Sequence, residues 1–507
     1  MRNRTLGQVL PNAAAAYGDK PALAFGGRSF SFNDLDAMSA SIANGLAARN
    51  IVAGDRVTLY AQNCWEWIVS YYAIAKTGAV INPISAMLTP DEVAYVVGNC
   101  GARAIVSSAD KAEALLDIRA NTDLEDVILF GGSAATGAVA FEDLLRDGKA
   151  AFDIAPVEPD ALSTICYTSG TTGHPKGAMQ SHRNVVMNSA LSSIMHGRTG
   201  ADTLVSALPL PHAYGNVGMN STMLYGMTMV LLPRFEETAV LAAIQEYRAT
   251  MYDGVPTSYM MILAHPDAGK FDTGSLNRCT TGGQTMPAAK AQEFEERFGC
   301  PLLELWGMTE LSGVGIANSW YGENRHGSVG VTLPYMESRI ADAEDAQTTL
   351  DRNEPGELMV RGPLVMQGYF GNEKATAETI EPDGWMHTGD IAKMDDDGYV
   401  WMVDRKKDMI LTGGYNVYPA EIERVLARHP AVAMAGVGKL DHETKGEIAK
   451  AYIVLKPGTG ADTEEIRSFC KQHLAAYKVP RAVQFVDALP ITSTGKIMRR
   501  ELATLDV

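Results

Sequence analysis

Two hydrophobic periods alternate through the first 160 residues. Ala22–Phe32 places apolar and polar residues on either side of Gly26-Gly27 and predicts a hairpin. Asn33–Ala48 carries Leu35, Met38, Ile42 and Leu46 at near-helical spacing, and Trp65–Thr77 predicts an aromatic-rich core helix. Short apolar runs predict strands at 55–60, 80–84, 103–107 and 126–130, with another helix at 90–97. Repeated strand–helix units require a largely parallel sheet covered on both faces. Leu162–Thr168 predicts a buried strand, and Ser181 can cap a helix whose Met187, Ala190, Leu191 and Ile194 share one face. Further strands at 204–208 and 229–232, in Cys279–Gln284 and in Leu302–Glu310 precede turns rich in Gly, Pro or Ser. In open α/β sheets, ligands bind beyond such carboxyl ends. From Glu337 to Val403 the pattern shortens to brief strands separated by Pro355-Gly356, Asp383-Gly384 and Asp397-Gly398. Arg405–Val507 predicts helices at 420–428 and 463–474 and strands at 433–437, 450–455 and 483–485. The expected fold is α/β. A large N-terminal domain, 1–403, holds packed, mostly parallel α/β sheets and a β-rich subdomain at 337–403. A small α+β C-terminal domain follows at 404–507.

Composition narrows the classes. A chain of 507 residues exceeds one core. Hydrophobic content of 46% and charged content of 20% fit a globular protein. Lys plus Arg number 43 against 60 Asp plus Glu, and the net charge of −17 argues against a nucleic-acid partner. The six cysteines form no C-x-x-C pair, so neither zinc nor a disulfide framework is expected, and a cytoplasmic location is. Cys166 reads as a small buried hydrophobe. The N-terminus lacks the apolar run of a signal peptide, and no segment approaches the ~20 apolar residues of a membrane helix.

The candidate chemistry begins at Tyr167–Gly177, YTSGTTGHPKG. Glycines let backbone approach an anion, hydroxyls donate hydrogen bonds, and Lys176 supplies positive charge, as polyphosphate binding requires. The order of residues is not that of a Walker A loop. It resembles the phosphate loop of the adenylate-forming enzymes, which include acyl- and aryl-CoA ligases, luciferases and the adenylation domains of peptide synthetases.

Other motifs follow in the family's order and extend the resemblance over nearly the whole chain. In the loop, the resemblance implies ATP contacts from Thr168, Ser169, Gly170, Thr171, Thr172, Gly173 and Lys176. Trp306-Gly307-Met308-Thr309-Glu310 resembles the aromatic-Gly-x-Thr-Glu signature, with Trp where most of the family has Tyr. Glu310 is the implied Mg²⁺ ligand, with Thr168 as a second, and Thr309 contacts the α-phosphate. The resemblance implies that Trp306 and Gly307 adjoin the adenine, opposite Gly283 and Gln284. Asp390, in a T-G-D motif, and Arg405 would bind the ribose. LPITSTGKIMRREL resembles the C-terminal catalytic loop, with Lys496 as catalytic residue. LTGGYNVYPAEIE implies CoA binding by Gly413, Gly414 and Tyr415. Asp404 matches the family's hinge residue, so the resemblance implies a mobile small domain. His212 matches a pocket histidine and is carried as catalytic. The acyl pocket would include His212, Tyr214, Asn216 and Val217, together with Gly282, Met308 and Leu311. Pro211 and Tyr335 depart from the residues usual in the family.

The resemblance implies an AMP-forming acid–CoA ligase using ATP, Mg²⁺ and coenzyme A. A carboxylate attacks the ATP α-phosphate, pyrophosphate leaves, and CoA thiol then captures the acyl-AMP. Pocket candidates without Lys or Arg favour a monocarboxylic acid, fatty or aromatic. Tyr214 and Asn216 could hydrogen-bond a ring hydroxyl of a hydroxycinnamate. The alternatives are transfer to a carrier protein and a non-catalytic ATP or acyl sensor. A homodimer would be ordinary.

Overall fold

The structure, a computed structural model, describes residues 5–132, 135–168, 175–412, 415–442, 446–490 and 497–506. The chain packs as two compact units: Met1–Glu337 with Val360–Met386, and Ser338–Met359 with His387–Val507. The sequence reading instead cuts the chain at Asp404.

The first unit contains two mostly parallel sheets. The eight-stranded sheet runs in the order Gly368–Tyr369, Lys176–Ser181, Leu162–Thr168, Val80–Ile84, Arg56–Tyr60, Ala102–Ser108, Asp126–Phe130, Val139–Ala140. The nine-stranded sheet is parallel from Pro21–Phe25 through Thr228–Leu231, Thr203–Ser206, Met251–Gly254 and Arg278–Gly282 to Leu302–Met308. Antiparallel strands close both of its ends. One apolar cluster joins the sheets: Leu59 and Ile81 from one, Leu23 and Met229 from the other, and helix residues such as Trp67, Val185 and Met219 between. Strands buried on both faces explain the continuous apolar runs in the sequence.

Several elements differ from the sequence pattern. Lys176–Ser181 is a strand that turns back on Leu162–Thr168, so the loop between them belongs to an antiparallel hairpin. The helix His182–Met195 does start at Ser181, whose hydroxyl accepts from the Asn184 N–H. Its expected apolar face holds only in part: Ala190 and Leu191 are buried, but Ile194 is 49% exposed while Asn188, Ser189, Ser192 and Ser193 are buried. The polar side is satisfied inside, with Ser189 donating to Val185 O and Asn188 to Leu311 O and Val314 O. Helices Leu6–Tyr17, Ala213–Tyr225, Pro256–Ala264 and Ala288–Phe298 had no sequence expectation.

The second unit carries the bulk of a four-stranded sheet in the order Glu337–Ala341, Gly356–Arg361, Met386–Met394, Val400–Arg405. A five-stranded sheet follows, built on the long pair Val432–His442 and Gly446–Leu455. Helices Pro419–Leu426 and Thr463–His473 bury Ile422, Leu426, Ile466 and Cys470 against it. No helix among the described residues is long and apolar enough to cross a membrane. The six cysteines are free and buried.

Candidate active site

In the first unit the hairpin and the turn after Leu302–Met308 come together. Thr168 pairs with Lys176 at the base of the hairpin, and its hydroxyl donates to the Lys176 carbonyl at 3.4 Å. The Lys176 ammonium stands 5.2 Å from the Tyr369 ring centroid. The Tyr369 hydroxyl donates to Glu310 Oε1 at 2.8 Å, and Gln180 Nε2 donates to the Thr309 carbonyl at 2.8 Å. Burial, and then the Glu310 charge, push the Tyr369 phenol upward, so it stays a donor. Burial likewise pushes the Cys166 thiol up to about 12, with Glu310 adding to it, so this thiol is no nucleophile. Sequence reasoning missed Tyr369 and Gln180, because nothing local marks a Tyr or Gln that supports a site contributed by other segments.

The turn opposite is shaped by close approach. Gly283 has φ +88°, and a Cβ on Gly307 would stand 2.1 Å from the Gly313 carbonyl oxygen. Trp306 is buried and packs on Gly315, and Gln284 belongs to the loop that follows Gly282. Glu304 anchors that loop from the neighbouring strand. Its Oε2 accepts the Met286 N–H at 3.0 Å and its Oε1 the Gly327 N–H at 3.1 Å. An isolated Glu in the apolar run Leu302–Trp306 was the available signal. Burial raises the Glu304 carboxyl from 4.5 to about 7, against the two N–H bonds. The folded protein then holds this proton longer than the unfolded chain, so stability falls as pH rises from about 4.5 to about 7. The expected loss is about 3 kcal/mol, at ~1.4 kcal/mol per pKa unit. Glu304→Gln imitates the neutral carboxyl and should flatten this slope, as read from unfolding midpoints at pH 5 and pH 8.

The expected acyl-pocket residues divide. His212 is exposed and caps the helix Ala213–Tyr225, its Nδ1 accepting the Tyr214 N–H at 3.4 Å. Tyr214 is buried, with its hydroxyl 2.5 Å from Thr280 Oγ1, which donates to Asp253 Oδ1 at 2.7 Å. Arg198 completes this chain on Asp253 Oδ2 at 2.7 Å. The hydroxyl expected to meet a ring hydroxyl is therefore already bonded. Asn216 Oδ1 accepts from Tyr71 and Asn220. Val217, Gly282 and Leu311 are buried, and Met308 precedes the short turn Thr309–Leu311.

In the second unit, Asp390 and Arg405 face each other in register, with Nε 2.8 Å from Oδ1. Tyr415 is exposed and stacks on Tyr477 at 4.6 Å. The Asp404 carboxylate is 1% exposed and accepts from Arg405 N, Ala420 N and Arg499. Ser169, Gly170, Thr171, Thr172, Gly173, Gly413, Gly414 and Lys496 lie outside the described residues.

An α/β sheet whose strand ends gather a carboxylate, a lysine and glycine turns is the framework of a nucleotide-binding enzyme. Residues 10–370 match the AMP-binding enzyme family and 421–496 its C-terminal domain, and the chain belongs to this family. It is 32% identical to a long-chain-fatty-acid–CoA ligase of Bacillus subtilis (strain 168), covering 99% of this chain and 94% of that one. It is 34% identical to a feruloyl-CoA synthase of Amycolatopsis sp, covering 99% of both. Its fold is similar to ATP-bound MatB from Rhodopseudomonas palustris, with a TM-score of 0.92, 32% identity and coverage of 99% and 98%.

Proposed function

We propose that this protein is an AMP-forming ligase that joins a monocarboxylic acid, fatty or aromatic, to coenzyme A. The observation that carries the reading is the junction of Lys176, Tyr369, Glu310 and Thr309 at the strand ends of a chain of the AMP-binding family.

ATP and CoA enter as substrates. Lys176 and the loop hydroxyls hold the polyphosphate, and the carboxylate attacks the α-phosphorus as pyrophosphate leaves. Positioning and fixed charge supply most of the catalysis of phosphoryl-group chemistry. CoA thiol then attacks the acyl carbon and AMP leaves. Glu310 fits Mg²⁺, since it offers a hard oxygen donor beside the loop with Tyr369 on only one of its two oxygens. When bound, that ion would neutralise phosphate charge.

A monocarboxylate is favoured because the Arg198 charge is already matched by Asp253. The small domain, 404–507, would turn about Asp404 between the two half-reactions, presenting Lys496 first and Gly413-Gly414 second. Six free cysteines and the charge of −17 support a cytoplasmic enzyme without a nucleic-acid partner.

The test is pyrophosphate release from Mg-ATP over fatty, benzoic and cinnamic acids, with and without CoA. Turnover to a thioester with CoA is expected. Accumulation of acyl-AMP that ignores CoA would overturn the choice of acceptor. Absence of both ATP binding and pyrophosphate release would overturn the reaction.

A further inference from the structure

Arg499 gathers three carboxylates within the second unit. Its Nε and Nη2 fork onto Glu423 at 3.0 and 2.6 Å, and its Nη1 reaches Asp404 at 2.7 Å and Asp408 at 3.0 Å. The side chain is 18% exposed, so solvent and salt screen these bonds little. Burial works against the charge, but the bond to Glu423 and the charges of Glu423, Asp404 and Asp408 outweigh it. Arg499 opens the short helix Arg499–Leu505, three residues beyond Lys496. That helix is pinned elsewhere as well, by buried Leu502 and by Asp506 on Lys450 and Tyr452. Just ahead of it, the Met498 N–H donates to the Pro490 carbonyl at 2.8 Å across the segment that contains Lys496.

Asp404 is held from two directions. Its backbone is in register with Ile391 in the strand before it. Among the described residues, its carboxylate accepts from three that follow it: Arg405, Ala420 and Arg499. A rotation at this residue therefore leaves the side chain with 405–507 and confines the change to its backbone.

We infer that Arg499 is a positioning residue that ties the helix 499–505, which begins three residues beyond Lys496, to Asp404, so that hinge and helix move as one body. The inference rests on the two-step ligase reading. Arg499→Met leaves three carboxylates crowded without their cation, while Arg499→Lys keeps the charge but loses the fork.

The experiment uses full-length protein with hexanoate, benzoate and 4-coumarate. It follows pyrophosphate exchange, thioester formation from supplied acyl-adenylate, and amide hydrogen exchange of peptides covering 404–408, 418–424 and 497–506. Arg499→Met should lower kcat of pyrophosphate exchange by about 10- to 100-fold, the cost of slight misplacement of a reacting group, and thioester formation from acyl-adenylate by less. KM for ATP should stay within about threefold, since a positioning loss leaves ground-state binding in place. Exchange should accelerate in all three peptides, and Arg499→Lys should fall between the two proteins. Lys478→Met is the control, because it removes the ion pair with Glu421 on the same helix without touching Asp404. It should leave both half-reactions unchanged. Wild-type kcat in folded Arg499→Met, or an equal loss in Lys478→Met, would overturn the inference. If the wild-type protein neither binds ATP nor adenylates any of the acids, the ligase reading fails on its own. Unaltered exchange in Arg499→Met would then overturn the inference independently.

Discussion

Lys496→Ala is expected to slow acyl-AMP formation roughly 10²–10³-fold, the usual result of deleting one preorganised charge aimed at a developing anion. The attack on the α-phosphorus builds charge on phosphate oxygens, and the positive charge of a lysine can offset it. The second half-reaction does not need that charge in the same place. Thioester formation from supplied acyl-adenylate should therefore fall far less, and the ratio of the two rates is the measurement. A Lys496→Ala protein that made acyl-AMP at wild-type speed would remove this residue from the chemistry. An equal loss in both steps would point to a general disturbance of the C-terminal domain.

Arg198→Met should destabilise the large unit by on the order of 3–5 kcal/mol, because it strips the partner from a buried charge. Arg198 and Asp253 are each 1% exposed at the side chain. With Arg198 gone, Thr280 is the donor left to the Asp253 carboxylate among the described residues. The intact pair is worth much less than this loss suggests, since both ions were taken out of water. Among the described residues, Arg198 Nε and Nη1 also have no hydrogen-bond partner. The double variant Arg198→Met, Asp253→Asn should therefore recover part of the loss. Urea or thermal midpoints of the single and double variants decide this. A single variant as stable as wild type would show that water reaches Asp253 and carries its charge.

Residue patterns made the local elements legible where burial is uniform along them. Trp65–Thr77, Val80–Ile84, Asp126–Phe130 and Leu162–Thr168 occur at the expected bounds, because an apolar run ended by Gly, Pro or charge has little freedom of register. The helix Ala213–Tyr225 was not legible. AYGNVGMNSTMLY contains two glycines, two asparagines, Ser and Thr, which are weak helix formers. It is helical because it is buried between other elements, with Tyr72 donating to Asn220 and Thr222 to the Gly218 carbonyl. The same burial displaced the expected face of His182–Met195, where serines turn inward and Ile194 outward.

The sequence by itself determined the kind of chemistry. The phosphate-loop residues, Trp306–Glu310, the T-G-D motif and Lys496 stand in the order of the adenylate-forming family, and such motifs are read from contiguous residues. Tertiary structure alone decided which side chains hold those motifs in place. Tyr369 on Glu310, Glu304 on Met286 and Gly327, Asp253 between Arg198 and Thr280, and Arg499 among Asp404, Asp408 and Glu423 are pairings across distant segments. No local pattern encodes them. Each exists because a buried polar group must find a partner, and only the packed chain determines which partner is within reach.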